Sequence, residues 1–120
     1  MIKDFMCVNI FSKKAKELIE FYGKVLELPI IKTDVDDSNG VYFGFSENAP
    51  ALCIWDGLIW NCPTTGAQSF VFRCDNLDET IVWLKEKSLT LEEPVKYEWG
   101  TYELRLKDPD GNEVVLVEML

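Results

Sequence analysis

Lys107-Asp108-Pro109-Asp110-Gly111-Asn112-Glu113, running into Val114-Val115-Leu116-Val117, has turn chemistry at every central position. Proline presets φ, the Asp and Asn side chains bond nearby backbone, and Gly111 supplies a positive φ without steric cost. A strand-like run, 101–107, leads into it, and an apolar, β-branched run over 113–118 follows. The segment therefore predicts a hairpin near the C-terminus.

The same grammar occurs earlier in the chain. Residues 46–50, Ser-Glu-Asn-Ala-Pro, form a turn between strand-like runs at 41–45 and 51–55. An offset of 62 residues lays this turn on Asp108–Asn112, and also places Cys7 on Ser69, Phe21 on Trp83 and Cys53 on Val115, with no gap. Each half then reads β-α-β-β-β. The first half has strands at 5–11, 30–35, 41–45 and 51–55. Its helix spans 14–27, with Ala15, Leu18, Ile19, Tyr22, Val25 and Leu26 at helical spacing, and stops before Pro29. The second half has strands at 69–74, 89–96, 101–107 and 113–118, and a helix at 77–87 capped by Asp75-Asn76. The expected organisation is one domain over 1–120: a first module at 1–59, a linker at 60–66 and a second module at 67–120.

Composition removes several classes of function. The chain has 120 residues, enough for one core. A net charge of −9 argues against nucleic acid or an anionic membrane as partner, because both require a basic patch. No apolar run approaches transmembrane length. Met1 to Asp4 is mixed in charge with no apolar segment after it, so no secretory leader is expected and a cytoplasmic location is. Cys7, Cys53, Cys62 and Cys74 show no CxxC spacing and are expected as reduced thiols. The absence of histidine removes the commonest metal ligand and the commonest general base together. Asp34, Asp36 and Asp37 cluster at a hairpin turn over 36–40, as a cation site or a solvated turn.

Three segments carry a resemblance. Phe21-Tyr22-Gly23-Lys24-Val25-Leu26 resembles the helix-end signature of the glyoxalase/bleomycin-resistance/extradiol-dioxygenase superfamily, the vicinal oxygen chelate fold. Asp75-Asn76-Leu77-Asp78-Glu79 resembles its second-module helix start, and Asp108 to Asn112 its final hairpin. Glu27 stands where the family usually has glycine. The resemblance implies an α+β fold: two βαβββ modules with mixed sheets forming a half-open, barrel-like cup, helices packed on the outer face. It also implies a homodimer. Family enzymes hold a divalent metal at four positions, which fall here on Cys7, Cys53, Ser69 and Val115. Two thiols, a hydroxyl and an alkyl group do not suit Mg²⁺, Mn²⁺ or Fe²⁺, nor do they provide the three ligands of a catalytic Zn²⁺. The expectation is a member with no metal and no cofactor.

If position 7 faces the cup, strand alternation sends Cys7, Asn9 and Phe11 to the lining and Val8 and Ile10 to the helix. The candidate ligand-binding residues are Cys7, Asn9, Phe43, Cys53, Trp55, Ser69, Trp99, Glu103, Arg105 and Val115. Val41, Phe43 and Phe45 share one strand face, as their repeat partners Glu103, Arg105 and Lys107 do. Arg105 is an anion anchor or an ion-pair partner of Glu103. Glu103 is a base or an ordinary ion pair. Trp55, Trp60 and Trp99 stack on a flat ligand or fill a core. Cys7 and Cys53 act as small hydrophobes or as a soft-metal or redox pair. The function expected is metal-independent binding of a small molecule in the cup. The alternatives are a divergent lyase, isomerase or dioxygenase-like enzyme using non-standard residues, and a module whose cup is filled by its own side chains.

Overall fold

The computed structural model describes residues 1, 3, 5–35, 40–64 and 66–120, without the side chains of Asp34 and Val35. The acidic cluster at Asp34, Asp36 and Asp37 and its hairpin turn lie outside the described residues. By backbone contacts the chain divides into Met1–Gly66 and Ala67–Leu120.

The first unit contains β1 (Cys7–Ser12), α1 (Ala15–Glu20), a π-helical turn (Phe21–Val25), β2 (Ile30–Val35), β3 (Gly40–Phe43) and β4 (Ala51–Asp56). The second contains β5 (Ser69–Arg73), α2 (Leu77–Glu86), β6 (Val95–Lys96), β7 (Thr101–Lys107) and β8 (Glu113–Met119). The sheet orders are β1-β4-β3-β2 and β5-β8-β7-β6. In each sheet the first and last strands of the unit run parallel and the remaining pairs are antiparallel. The fold is thus α+β with two four-stranded mixed sheets, neither closed into a barrel. Helix α1 packs on β1 and β4, and α2 packs on β7 and β8. The apolar side chains between helix and sheet disappear from solvent: Ile10, Leu18, Tyr22, Phe43 and Ile54 in the first unit, Leu77, Leu84, Leu104 and Val114 in the second.

Helix α2 follows its sequence signals. Asn76 Oδ1 accepts the Glu79 N–H at 3.1 Å, Asp78 and Glu79 sit in the first turn, and Leu77, Ile81 and Leu84 face the core. The first helix does not run to residue 27 as a uniform α-helix. After Glu20 the turn widens, with Leu26 N–H bonded to Phe21 O at 3.0 Å, five residues back. In this turn the consecutive rings Phe21 and Tyr22 are both buried and meet edge to face at 5.2 Å. Glu27 then takes φ +53, the left-handed region where a side chain costs roughly 1 kcal/mol and glycine nothing. The strand expected at 89–96 shrinks to Val95–Lys96, because Pro94 has no N–H to donate to a ladder.

The Asp108–Asn112 turn is densely bonded. Asp108 Oδ1 accepts the N–H groups of Asp110 and Asn112, both at 2.9 Å, and Asp108 Oδ2 accepts Asn112 Nδ2 at 2.7 Å. Gly111 takes φ +84. Asn112 Oδ1 in turn accepts the Gln68 N–H at 2.9 Å, which ties the hairpin to the start of β5 and sets Ser69 beside Glu113.

The repeat is not uniform. The Ala51 N–H bonds Met6 O and the Glu113 N–H bonds Gln68 O, so β4 and β8 begin at equivalent points 62 residues apart. In β3, however, Tyr42 pairs with Cys53 and Phe43 with Leu52, whereas in β7 Arg105 pairs with Val115 and Leu106 with Val114. Tyr42 therefore corresponds to Arg105, and Phe43 to Leu106. The path from β3 into β4 holds one residue more than its counterpart, and a one-residue shift moves every side chain to the opposite face.

Candidate functional site

In each sheet one face meets the helix and the other carries the chemistry-bearing side chains. In the first unit the register of β1 and β4 places Cys7, Asn9, Cys53 and Trp55 together on the face away from α1. Tyr42 joins them from β3 and Lys32 from β2. Trp55 organises this group. Its Nε1–H donates to Asn9 Oδ1 at 3.0 Å, and its ring meets Tyr42 at 5.5 Å and Trp60 at 5.5 Å, both edge to face. The indole lies over Gly40, where a Cβ would come within 2.3 Å of Trp55 Cζ3. Only glycine leaves room for the ring. Asn9 Oδ1 also faces Cys7 Sγ at 3.7 Å. Beside the group opens a pocket of about 270 Å³, lined by Met6, Cys7, Lys32, Tyr42, Glu47 and Ala51 among others.

Phe43 corrects the sequence expectation. It is 1% exposed and lies on the helix face, near the Tyr22 ring at 6.4 Å and against Gly23 of the π-helical turn. It is a core residue, and its neighbour Tyr42 takes the open-face position. The unequal loop lengths are the reason, since the gapless offset gave β3 the wrong face.

In the second unit Ser69, Val71 and Arg73 of β5, Glu113, Val115 and Val117 of β8, and Glu103 and Arg105 of β7 share the face away from α2. Tyr102 marks the opposite face, its hydroxyl donating to Asp78 of α2 at 2.7 Å. On the open face a polar chain crosses three strands. Ser69 Oγ donates to Glu113 Oε1 at 2.6 Å, and Arg105 reaches Glu113 at 3.1 Å and Glu103 at 3.0 Å. Thr101 Oγ1 donates to Glu103 Oε2 at 2.7 Å. Arg105 is thus held between two carboxylates and is no open anion anchor. Its pKa is raised, first by the Glu113 bond and next by Tyr97. Tyr97 stacks on Trp99 with ring centroids 4.3 Å apart, and Trp99 lies in the turn before β7, 70% exposed.

Glu113 has its carboxyl held below the usual range, chiefly by the Ser69 hydroxyl and then by Arg105. A depressed folded pKa contributes stability above the unfolded value, and that contribution is lost as pH falls through the folded one. Carboxyl NMR titration should therefore give Glu113 a midpoint below that of an unstructured glutamate, and Ser69→Ala should raise it. An unmoved midpoint in Ser69→Ala would show that the bond does not form in solution.

Cys7, Cys53, Ser69 and Val115 stand at the four positions that the resemblance assigns to a metal. Burial, and then the neighbouring Cys7, push the Cys53 thiol up to about 12. The Ser69 hydroxyl is bonded to Glu113, and Val115 has no donor. Among the described residues no three His, Cys, Asp or Glu side chains cluster as a metal site. These four residues do not fit a divalent ion, and no reaction step is routed through one. Among the described residues, too, no helix is long and apolar enough to cross a membrane.

Residues 5–116 match the family model of the Glyoxalase/Bleomycin resistance protein/Dioxygenase superfamily, and the chain belongs to that superfamily. Solved structures with the same fold include lactoylglutathione lyase from Agrobacterium tumefaciens, at 19% identity and TM-score 0.74, covering 98% of this chain and 94% of that one. TnmS3, an antibiotic binding protein from a Streptomyces species, is 17% identical with TM-score 0.75, covering 99% and 98%. A superfamily member from Sphaerobacter thermophilus is 19% identical with TM-score 0.75, covering 98% of both chains. No curated protein matched the sequence.

Proposed function

We propose that the protein binds a flat, aromatic small molecule on the open face of its first sheet, without a divalent metal. The observation that carries this reading is the half-exposed aromatic row Tyr42–Trp55–Trp60, braced by Asn9 and set beside a pocket. A binding site of this kind pairs apolar and aromatic lining with a few polar groups that fix orientation. Asn9, Lys32 and Glu47 are such groups here. The net charge of −9 favours a ligand with cationic character, drawn in by the field of the protein and held over indole faces. The antibiotic-binding neighbour supports the same direction.

A thermal-shift screen of planar aromatic and cationic compounds should give stabilisation that grows with ligand concentration. Tryptophan fluorescence should titrate with the same hits. Trp55→Ala is expected to weaken binding roughly tenfold or more, the scale of a lost ring contact together with its buried area, while the fold is kept. The reading fails if no compound stabilises the protein, if Trp55→Ala binds as tightly as the parent, or if chelator-free protein carries a stoichiometric divalent ion.

A further inference from the structure

Lys32 stands on the wrong side of its strand for a regular ladder. Ile30 pairs with Phe43 and Lys32 with Tyr42, so two steps along β2 oppose one step along β3. In an unbroken strand, residues 30 and 32 share a face, and Lys32 would follow Ile30 to the side on which Phe43 packs against the helix. The extra residue makes a β-bulge, a device that re-aims a side chain, and it sets Lys32 opposite Tyr42 on the open face. As a result Ile31 and Lys32, consecutive in sequence, both line the pocket of about 270 Å³. Glu47 enters the same lining from the turn that follows β3. That turn is closed by the Ala49 N–H on Ser46 O at 3.2 Å and the Asn48 N–H on Ser46 Oγ at 3.1 Å, bonds in which the Glu47 carboxylate takes no part. Among the described residues neither charge forms an ion pair, with the other or elsewhere. One pocket thus holds an unpaired ammonium and an unpaired carboxylate.

We propose that this pocket takes the head group of the ligand, and that the head carries both an ammonium and a carboxylate, the pattern of an aromatic amino acid. Such a ligand rests on the proposed binding of a flat aromatic molecule at Tyr42, Trp55 and Trp60, and adds its chemical class. Tyr42 belongs both to the pocket lining and to that row, so a ring held on the row leads directly into the pocket. A volume of about 270 Å³ lies just below the roughly 300–1,000 Å³ of pockets that enclose a whole drug-sized ligand. It suits a head group and leaves the ring against the indoles. The Lys32 ammonium donates to the ligand carboxylate, and the Glu47 carboxylate accepts from the ligand ammonium, each as a charge-assisted bond. The negative field of the whole chain is screened over about 8 Å at physiological ionic strength. Between ligands with the same ring, the two local charges therefore decide.

The test is isothermal titration calorimetry of the full chain with four probes that share an indole ring: L-tryptophan, tryptamine, indole-3-propionate and indole. L-Tryptophan should bind about fivefold more tightly than either singly charged probe, the scale of one solvent-exposed charge contact, and indole should bind most weakly. Lys32→Gln should lower the affinity for L-tryptophan and indole-3-propionate about fivefold, and that for tryptamine less than about twofold. Glu47→Gln should act in the opposite sense, weakening L-tryptophan and tryptamine more than indole-3-propionate. Both side chains are exposed, one on an edge strand and one in a turn, so the variants keep the fold. If tryptamine or indole binds as tightly as L-tryptophan and Trp55→Ala weakens it, the amino-acid head is overturned while the aromatic site stands. Equal losses for all three charged probes in either variant would overturn it too. If no probe binds, the amino-acid head is again overturned, and the aromatic site falls with it only when the wider screen of planar compounds is also silent.

Discussion

Phe43→Ala is expected to destabilise the protein by about 3–5 kcal/mol, the usual range for removing a fully buried ring. The side chain is 1% exposed and fills the space between β3, Tyr22 and the π-helical turn at Gly23. Urea unfolding followed by circular dichroism measures the loss. Tyr42→Ala makes the informative partner. Tyr42 is half-exposed on the other face of the same strand, so its removal should cost well under half as much stability and should instead weaken the proposed ligand. If the two variants were equally destabilised, or if Phe43→Ala alone abolished ligand binding in a stable fold, the assignment of faces in β3 would be wrong.

Asp108→Ala is expected to cost about 3–5 kcal/mol, because hydrogen bonds to a carboxylate are worth about 1.5–3 kcal/mol each and orphaned buried donors add to the loss. Asp108 is 5% exposed and Asn112 3% exposed, and the substitution removes the acceptor for two backbone N–H groups and for the Asn112 amide. Since Asn112 also holds the Gln68 N–H, the effect should spread to the β5 end of the sheet. Hydrogen exchange at residues 68–70 would report this. Asp108→Asn keeps one oxygen for the backbone donors and should cost less than half as much. Equal losses in the two variants would show that the bonds to Asp108 Oδ1 contribute little.

These two residues also mark what the sequence could and could not reveal. The Asp108 turn is legible because its chemistry is local: Pro, Gly and three Asx residues specify a turn wherever they stand together. The α2 start was legible for the same reason, through Asn76. Strand alternation correctly grouped Cys7 with Asn9, Cys53 with Trp55, and Ser69 with Val115 on shared faces. The face of Phe43 is not legible because Gly40-Val41-Tyr42-Phe43 has no charged residue to show which side is wet, and a gapless repeat gives it the wrong one. The π-helical turn was hidden because Phe21 and Tyr22 are both apolar, and a continuous helix explains them equally well. The network from Ser69 through Glu113 and Arg105 to Glu103 depends on which strands become neighbours. Alternation can place each residue on a face, but it cannot give a 2.6 Å bond between residues 44 positions apart.

The extra residue between β3 and β4 has a meaning at the level of the gene. Loss of one codon within segment 44–50 would bring β3 into the register of β7, turning Phe43 outward and Tyr42 inward with no substitution on the strand itself. Surface loops tolerate such length changes far better than cores tolerate replacements. In a chain of this design, indels in one exposed turn can exchange a whole strand's contribution to the binding face in a single mutational step. Divergence of ligand preference among such proteins can then run ahead of any change at the residues that touch the ligand.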